Sequence, residues 1–113
     1  MRRRPAGYSL IGHEPIGFDD VLAWARAIEL LPDSQRVVGK TVVGGLEVST
    51  VFLTVDHQWR LYAQPLLFET MVFGEGGGDL VERYSTWEQA ERGHARCVES
   101  LRVDVEKMLE HGR

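Results

Sequence analysis

The chain has 113 residues, of which 43% are apolar and 27% are charged, and its formal net charge is -4. This length suits one domain around a single core, and the composition is that of a globular protein rather than a disordered or fibrous one. Because the net charge is negative, no global field attracts phosphate backbones, and we do not expect nucleic acid as a partner.

Cysteine content and hydropathy bear on the compartment. The single cysteine, Cys97, excludes an intramolecular disulfide, which favours a reducing compartment. No stretch approaches the roughly 20 apolar residues that a membrane span needs. The sequence therefore predicts a cytoplasmic protein with no membrane partner.

The N-terminal part of the chain contains an irregular segment followed by a short helix. Residues 1–17 are rich in glycine and proline and lack periodicity, so they predict an irregular arm ahead of a single domain over residues 18–113. From Val21 to Leu31, apolar residues recur at spacings of three and four, which predicts an amphipathic helix. Asp19 suits its N-cap.

A run of strand-like segments follows this helix. Dense valine and threonine, with Gly44 and Gly45 between two such segments, are typical of a two-residue β hairpin. The glycine-rich segment GEGGGD indicates a further turn. The predicted strands cover residues 36–43, 46–56, 66–73 and 80–85. Short connections between consecutive strands predict an antiparallel meander.

A long helix closes the chain. Ser85 as N-cap and Glu88 three residues later form the pattern of a capping box, and Gly112 suits the end of the helix. An apolar stripe at spacings of three and four runs along the helix and includes His94. Since Gly93 in a helix costs about 1 kcal/mol relative to alanine, we expect the backbone to pass close to the sheet there.

These elements predict an α+β fold. An antiparallel sheet of about four strands carries the long C-terminal helix, and the shorter N-terminal helix packs alongside or on the other face. Both faces of the predicted sheet are apolar, because Phe52 and Phe68 face away from Val55 and Met71. Any face that the helices leave uncovered is expected to form a homodimer interface.

Charged residues inside the apolar strands are the first candidates for a site. A register with Val55 opposite Glu69 places His57 and Glu69 on one face as diagonal neighbours, about 7 Å apart, and Asp56 on the other. His94 on the long helix is expected to approach the face of His57 and Glu69. Three interpretations remain open: a buried pair that satisfies itself, a ligand site, and a catalytic or metal-binding site.

The segment after His57 offers a second candidate. Trp59, Arg60 and Tyr62 could stack on and hydrogen-bond a planar or phosphorylated ligand, or they could fold back on the core. Cys97 lies on the apolar stripe of the helix, which is typical of an inert thiol. The sequence contains no complete nucleophile, zinc or nucleotide-binding motif.

Three segments in order carry a resemblance to a known family. They are VSTVFLTVDH, PLLFETMVF and RYSTWEQAERGH, and they lie within residues 47–98. In this pattern the chain resembles a family of small, largely uncharacterised proteins of bacteriophages and of bacteria that carry phage-derived genes. The resemblance implies a cytoplasmic accessory protein of phage origin, with these residues at the motif positions: Asp56, His57, Glu69, Thr70, Tyr84 and His94. The loop QWRLYAQ departs from the glycine-rich loop expected in that family.

The sequence favours a non-enzymatic binding or interaction protein, a modulator that binds a small molecule or a host protein, with no cofactor and no metal. The expected ligand-binding residues are Asp56, His57, Trp59, Glu69, Thr70, Tyr84 and His94. The alternative is a small hydrolase that uses His57 or His94 as general base, with or without a metal ion.

Overall fold

The computed structural model describes residues 4–112, and its first element is a β hairpin. Strands β1 (Gly7–Ile11) and β2 (Glu14–Phe18) pair antiparallel through a two-residue turn. Gly12 explains the turn, because its φ of 60° lies in the left-handed region that favours glycine.

The prediction of an irregular arm over residues 1–17 is wrong where the chain is described. The hairpin is also tied to the rest of the molecule, since the backbone N–H of Tyr8 donates to the carbonyl of Thr54 at 2.8 Å. Residues 1–3 of the predicted arm, and Arg113 at the other end of the chain, lie outside the described residues.

The short amphipathic helix is confirmed as α1 (Val21–Leu30). Its N-cap is Asp20 rather than the predicted Asp19, because the Asp20 carboxylate accepts the backbone N–H of Leu22 at 3.0 Å. The helix packs on β1 and β2, and a 3-10 turn (Asp33–Arg36) leads from it into the sheet.

The four-stranded antiparallel meander is confirmed. Its strands follow in chain order as β3 (Val37–Val43), β4 (Leu46–Phe52), β5 (Phe68–Gly74) and β6 (Gly77–Tyr84). β4 ends at Phe52 rather than at residue 56. The segment between β4 and β5 is therefore longer than the sequence predicted.

The predicted register between β4 and β5 is wrong by four residues. Glu69 lies opposite Val51 rather than Val55, and Thr70 lies opposite Thr50. A shift by an even number keeps the parity of the two strands, so Glu69 still shares a face with odd-numbered residues of β4, but its neighbours change. The cause is the early end of β4, which removes Val55 from the sheet altogether.

The long C-terminal helix is confirmed as α2 (Trp87–His111), with the expected Gly112 at its end. The capping box uses Thr86 and Gln89 rather than Ser85 and Glu88: the N–H of Gln89 donates to Thr86 Oγ1 at 3.1 Å, and Gln89 Oε1 accepts the N–H of Thr86 at 3.2 Å. Within residues 4–112, none of the helices combines the length and apolar character that crossing a membrane requires.

The side of the sheet that α2 covers, called here the inner face, holds the core. Its larger cluster consists of Leu10, Leu31, Phe52, Leu67, Phe68, Tyr84, Trp87 and Ala90. A smaller cluster of Val43, Val48 and Val98 lies further along the helix. The hairpin joins the larger cluster, because its turn residue His13 stacks on Trp87 with ring centroids 3.8 Å apart.

The opposite side, called here the outer face, is formed by alternate residues of the same strands. Three cross-strand rows line it, and they are Val37, Val51, Glu69 and Arg83; Lys40, Ser49, Met71 and Leu80; and Val42, Glu47, Phe73 and Gly78. Since α2 packs on the inner face and α1 packs on the hairpin, this face lies outside the main helix contacts of the described chain.

Candidate functional site

His94 lies in a hydrogen-bond network between α2 and the inner face. Its Nδ1 is 2.8 Å from Thr50 Oγ1, and its Nε2 is 2.9 Å from Thr41 Oγ1. Thr50 Oγ1 is in turn 2.6 Å from Thr70 Oγ1, which accepts the hydroxyl of Tyr84 at 3.0 Å. The structure thus brings together three of the predicted site residues, Thr70, Tyr84 and His94.

Adjacent strands supply the threonines of this network. Thr50 and Thr70 lie directly opposite each other on β4 and β5, and both side chains are fully buried. Gly39 on β3 makes room for the imidazole, because a Cβ there would lie 2.9 Å from His94 Nε2. Sequence reasoning missed Thr41 and Thr50, since threonine is common in any strand. Their placement on the face that carries His94 is the signal that could have found them.

The hydrogen bonds of this network join uncharged side chains. A hydroxyl group both donates and accepts, so threonines can pair with both ring nitrogens of a neutral imidazole. Burial lowers the pKa of His94, and burial raises the pKa of Tyr84 against the opposing effect of its hydrogen bond to Thr70. Both shifts favour the uncharged forms of these side chains. The network is therefore suited to holding α2 on the inner face of the sheet by hydrogen bonds.

The lowered pKa of His94 predicts a pH dependence of stability. The ordinary pKa of histidine is 6.5 and that of folded His94 is lower, so the unfolded chain takes up this proton first as the pH falls. His94 therefore makes its full contribution to the free energy of unfolding above pH 6.5. This contribution is lost as the pH falls from 6.5 toward the pKa of His94 in the folded protein.

Urea unfolding at several pH values between about 8 and about 5.5 measures this dependence. We expect the His94→Gln variant to lose less stability over that interval than the wild type. The His57→Gln variant, altered at an exposed histidine, is the matched control and should keep the wild-type slope. Equal slopes for the wild type and His94→Gln would contradict the prediction.

Glu69 lies on the other side of the sheet from His94. Its carboxylate pairs with Arg83 on the neighbouring strand, with Nε and Oε2 3.2 Å apart. The expected meeting of His57, Glu69 and His94 therefore does not occur, because Glu69 and His94 are separated by the sheet. Sequence reasoning missed Arg83, although it stands on the adjacent predicted strand.

Asp56 organises the long segment between β4 and β5. Its Oδ1 accepts the backbone N–H groups of Gln58 at 2.7 Å and Leu66 at 2.9 Å, so it joins the two ends of the loop. Its Oδ2 accepts Nη1 of Arg4 at 3.1 Å. His57 is exposed beside it, and its backbone N–H donates to the carbonyl of Leu66 at 3.1 Å.

The aromatic residues of this loop point outward. Trp59 is 82% exposed, Tyr62 is also exposed, and the guanidinium carbon of Arg60 is 5.3 Å from the centre of the Trp59 ring. The alternative in which these side chains fold back on the core is therefore wrong. Cys97 is half-buried, and burial raises the pKa of its thiol, which makes it less reactive.

Two clefts lie apart from most of the predicted site. The larger encloses about 330 Å³ between β6 and the first turns of α2, and the smaller encloses about 270 Å³ beside His13 and Trp87. Of the seven predicted ligand-binding residues, only Tyr84 lines either cleft. The polar residues that sequence reasoning selected are therefore chiefly fold-forming contacts, and the concave surfaces use other side chains.

Within residues 4–112, no group of three or more His, Cys, Asp or Glu side chains is placed to hold a metal ion. Comparisons with protein-family models, with characterised proteins and with solved structures found no significant match. The resemblance to phage-derived proteins therefore stays a prediction.

Proposed function

We propose that this chain is a non-enzymatic cytoplasmic interaction protein that forms a homodimer through the outer face of its sheet. The observation that carries the proposal is the apolar character of that face. Phe73 is 41% exposed and Leu80 is 49% exposed, with Met71 half-buried beside them, and Val42, which is 71% exposed, lies on the same face beyond Glu47. Contiguous apolar side chains on one face are typical of a protein interface.

The shape of the chain supports a partner of substantial area. Its accessible surface is 8013 Å², whereas a compact monomer of 12.8 kDa exposes about 6,300 Å². Its radius of gyration is 16.6 Å, against about 13 Å for a compact domain of this length. The excess surface exceeds the roughly 800 Å² that each partner contributes to a standard interface.

The charges on the outer face favour a second copy as the occupant. Lys40 and Glu47 pair at 3.7 Å on β3 and β4, while Glu69 and Arg83 pair on β5 and β6. A twofold axis brings the same patch of each copy together. With the β3 side of one copy over the β6 side of the other, both edges of the interface carry charges of both signs, and the apolar side chains lie between them.

Sedimentation equilibrium tests the dimer. We expect the wild type to sediment with twice the chain mass of 12.8 kDa, and the double variant Phe73→Lys, Leu80→Lys to sediment as a monomer. Two lysines on the apolar centre place like charges against each other in a symmetric interface, which costs several kcal/mol.

Leu109→Lys is the matched control, because Leu109 is more exposed than Phe73 and Leu80 but lies near the end of α2, away from the sheet. It should remain dimeric. A monomeric wild type, or a double variant that keeps the wild-type mass, would refute the proposal. Circular dichroism of all three proteins verifies that the substituted sites, which are exposed, leave the fold intact.

A further inference from the structure

The larger cleft runs along a free edge of the sheet. β6 is the last strand in the order β3, β4, β5, β6, and most of its residues are exposed. An edge strand presents unpaired backbone N–H and C=O groups that can pair with another extended chain. The first three turns of α2 form the wall of the cleft on the inner side, through Gln89, Arg92 and Arg96.

The charge of this cleft is opposite to that of the whole chain. Three guanidinium groups line it, from Arg83, Arg92 and Arg96, against the single carboxylate of Glu82. Arg83 pairs with Glu69 and Arg96 pairs with Glu82, whereas Arg92 forms no ion pair within residues 4–112. A locally basic cleft on a chain with a net charge of -4 selects an acidic partner.

The arginines also stand on both sides of the edge. Arg83 shares the outer face with Glu69, and Arg92 and Arg96 project from the helix on the inner face. A strand added to β6 directs successive side chains to opposite faces. Acidic side chains of such a strand therefore meet guanidinium groups on either face, while its backbone pairs with β6.

We infer that the cleft between β6 and α2 binds an extended acidic segment of a partner protein, which adds to β6 as a fifth strand. This mode of recognition takes affinity from backbone hydrogen bonds and specificity from alternate side chains. The inference goes beyond the proposed homodimer, because the outer face and the free edge of β6 are different surfaces. A second copy pairing at this edge is the other occupant, and the hydrogen-exchange measurement below distinguishes it from the acidic segment.

Fluorescence anisotropy tests the inference with a labelled peptide of about eight residues that alternates glutamate and valine, a length that spans β6. We expect the peptide to bind the wild-type protein, and binding to weaken as ionic strength rises. The Arg92→Glu variant should bind at least about tenfold more weakly, and Arg102→Glu, which makes the same charge change on an exposed part of α2 outside the cleft, should bind like the wild type.

Two further peptides separate strand addition from simple charge attraction. A peptide with a central proline cannot complete the backbone ladder and should not bind, and a peptide that alternates lysine and valine should not bind either. Binding of either peptide as tightly as the acidic one, failure of the acidic peptide to bind, or full binding by Arg92→Glu would overturn the inference. Hydrogen exchange must also show that the β6 amides on the free edge, which do not bond to β5, become protected only when the acidic peptide is added. Protection of these amides without peptide would mean that a second copy holds the edge.

Discussion

The Gly93→Ala variant should be less stable than the wild type by about 3 kcal/mol. In an ordinary helix interior, replacing glycine with alanine raises stability by about 1 kcal/mol. At Gly93 we expect the opposite, a loss of stability. The reason is that a methyl group on Gly93 would overlap the phenol ring of the buried Tyr84. To relieve the overlap, α2 must move away from the sheet, which strains the hydrogen bonds between His94 and the threonines.

Urea unfolding measures this change, and a double-mutant cycle isolates its cause. The atoms of Tyr84 that meet the added methyl group are Oη, Cζ and Cε1, and leucine lacks all three. In a Tyr84→Leu background, Gly93→Ala should therefore be close to neutral or stabilising. A loss of about 3 kcal/mol in both backgrounds would assign the effect to something other than this contact.

The Thr50→Val variant should lose about 2 kcal/mol of stability. Valine keeps the shape of threonine, so the packing of the fully buried side chain changes little. The lost hydroxyl, however, leaves His94 Nδ1 without its partner and removes one of the two bonds of Thr70 Oγ1. An unpaired polar group in a buried setting costs more than the net strength of the hydrogen bond itself.

Thr54→Val is the matched control, since Thr54 lies in the loop after β4, outside the network. It should change the free energy of unfolding by less than about 0.5 kcal/mol. If Thr50→Val were as stable as this control, the network would contribute nothing measurable. In that case His94 would occupy the inner face for another reason.

Much of the architecture could be predicted because it depends on local patterns in the sequence. The apolar spacing of α1 and α2 and the glycine pair before β4 identified those elements, and the cost of Gly93 correctly indicated a close approach to the sheet, made by Tyr84. Each predicted N-cap is wrong by one residue. Asp19 and Asp20, like Ser85 and Thr86, are chemically equivalent choices until the backbone direction is known.

The site was harder to predict because it depends on the register and on long-range contacts. Parity alone allows any even shift of β4 against β5, and only the end of β4 at Phe52 selects the observed one. That end is fixed by bonds of Asp56 to Leu66 and Arg4, which are distant in sequence. The N-terminal hairpin was missed for a different reason, because its glycine and proline residues concealed two short strands joined by a turn at Gly12.

The central claim is that the outer face joins two copies of the chain. An isotope-filtered NOE experiment tests this claim most directly. In an equimolar mixture of labelled and unlabelled protein, we predict intermolecular NOEs from the methyl groups of Met71 and Leu80 on the outer face. Intermolecular NOEs confined to Met108 and Leu109, the exposed apolar residues near the end of α2, would contradict the claim and place the contact between helices instead.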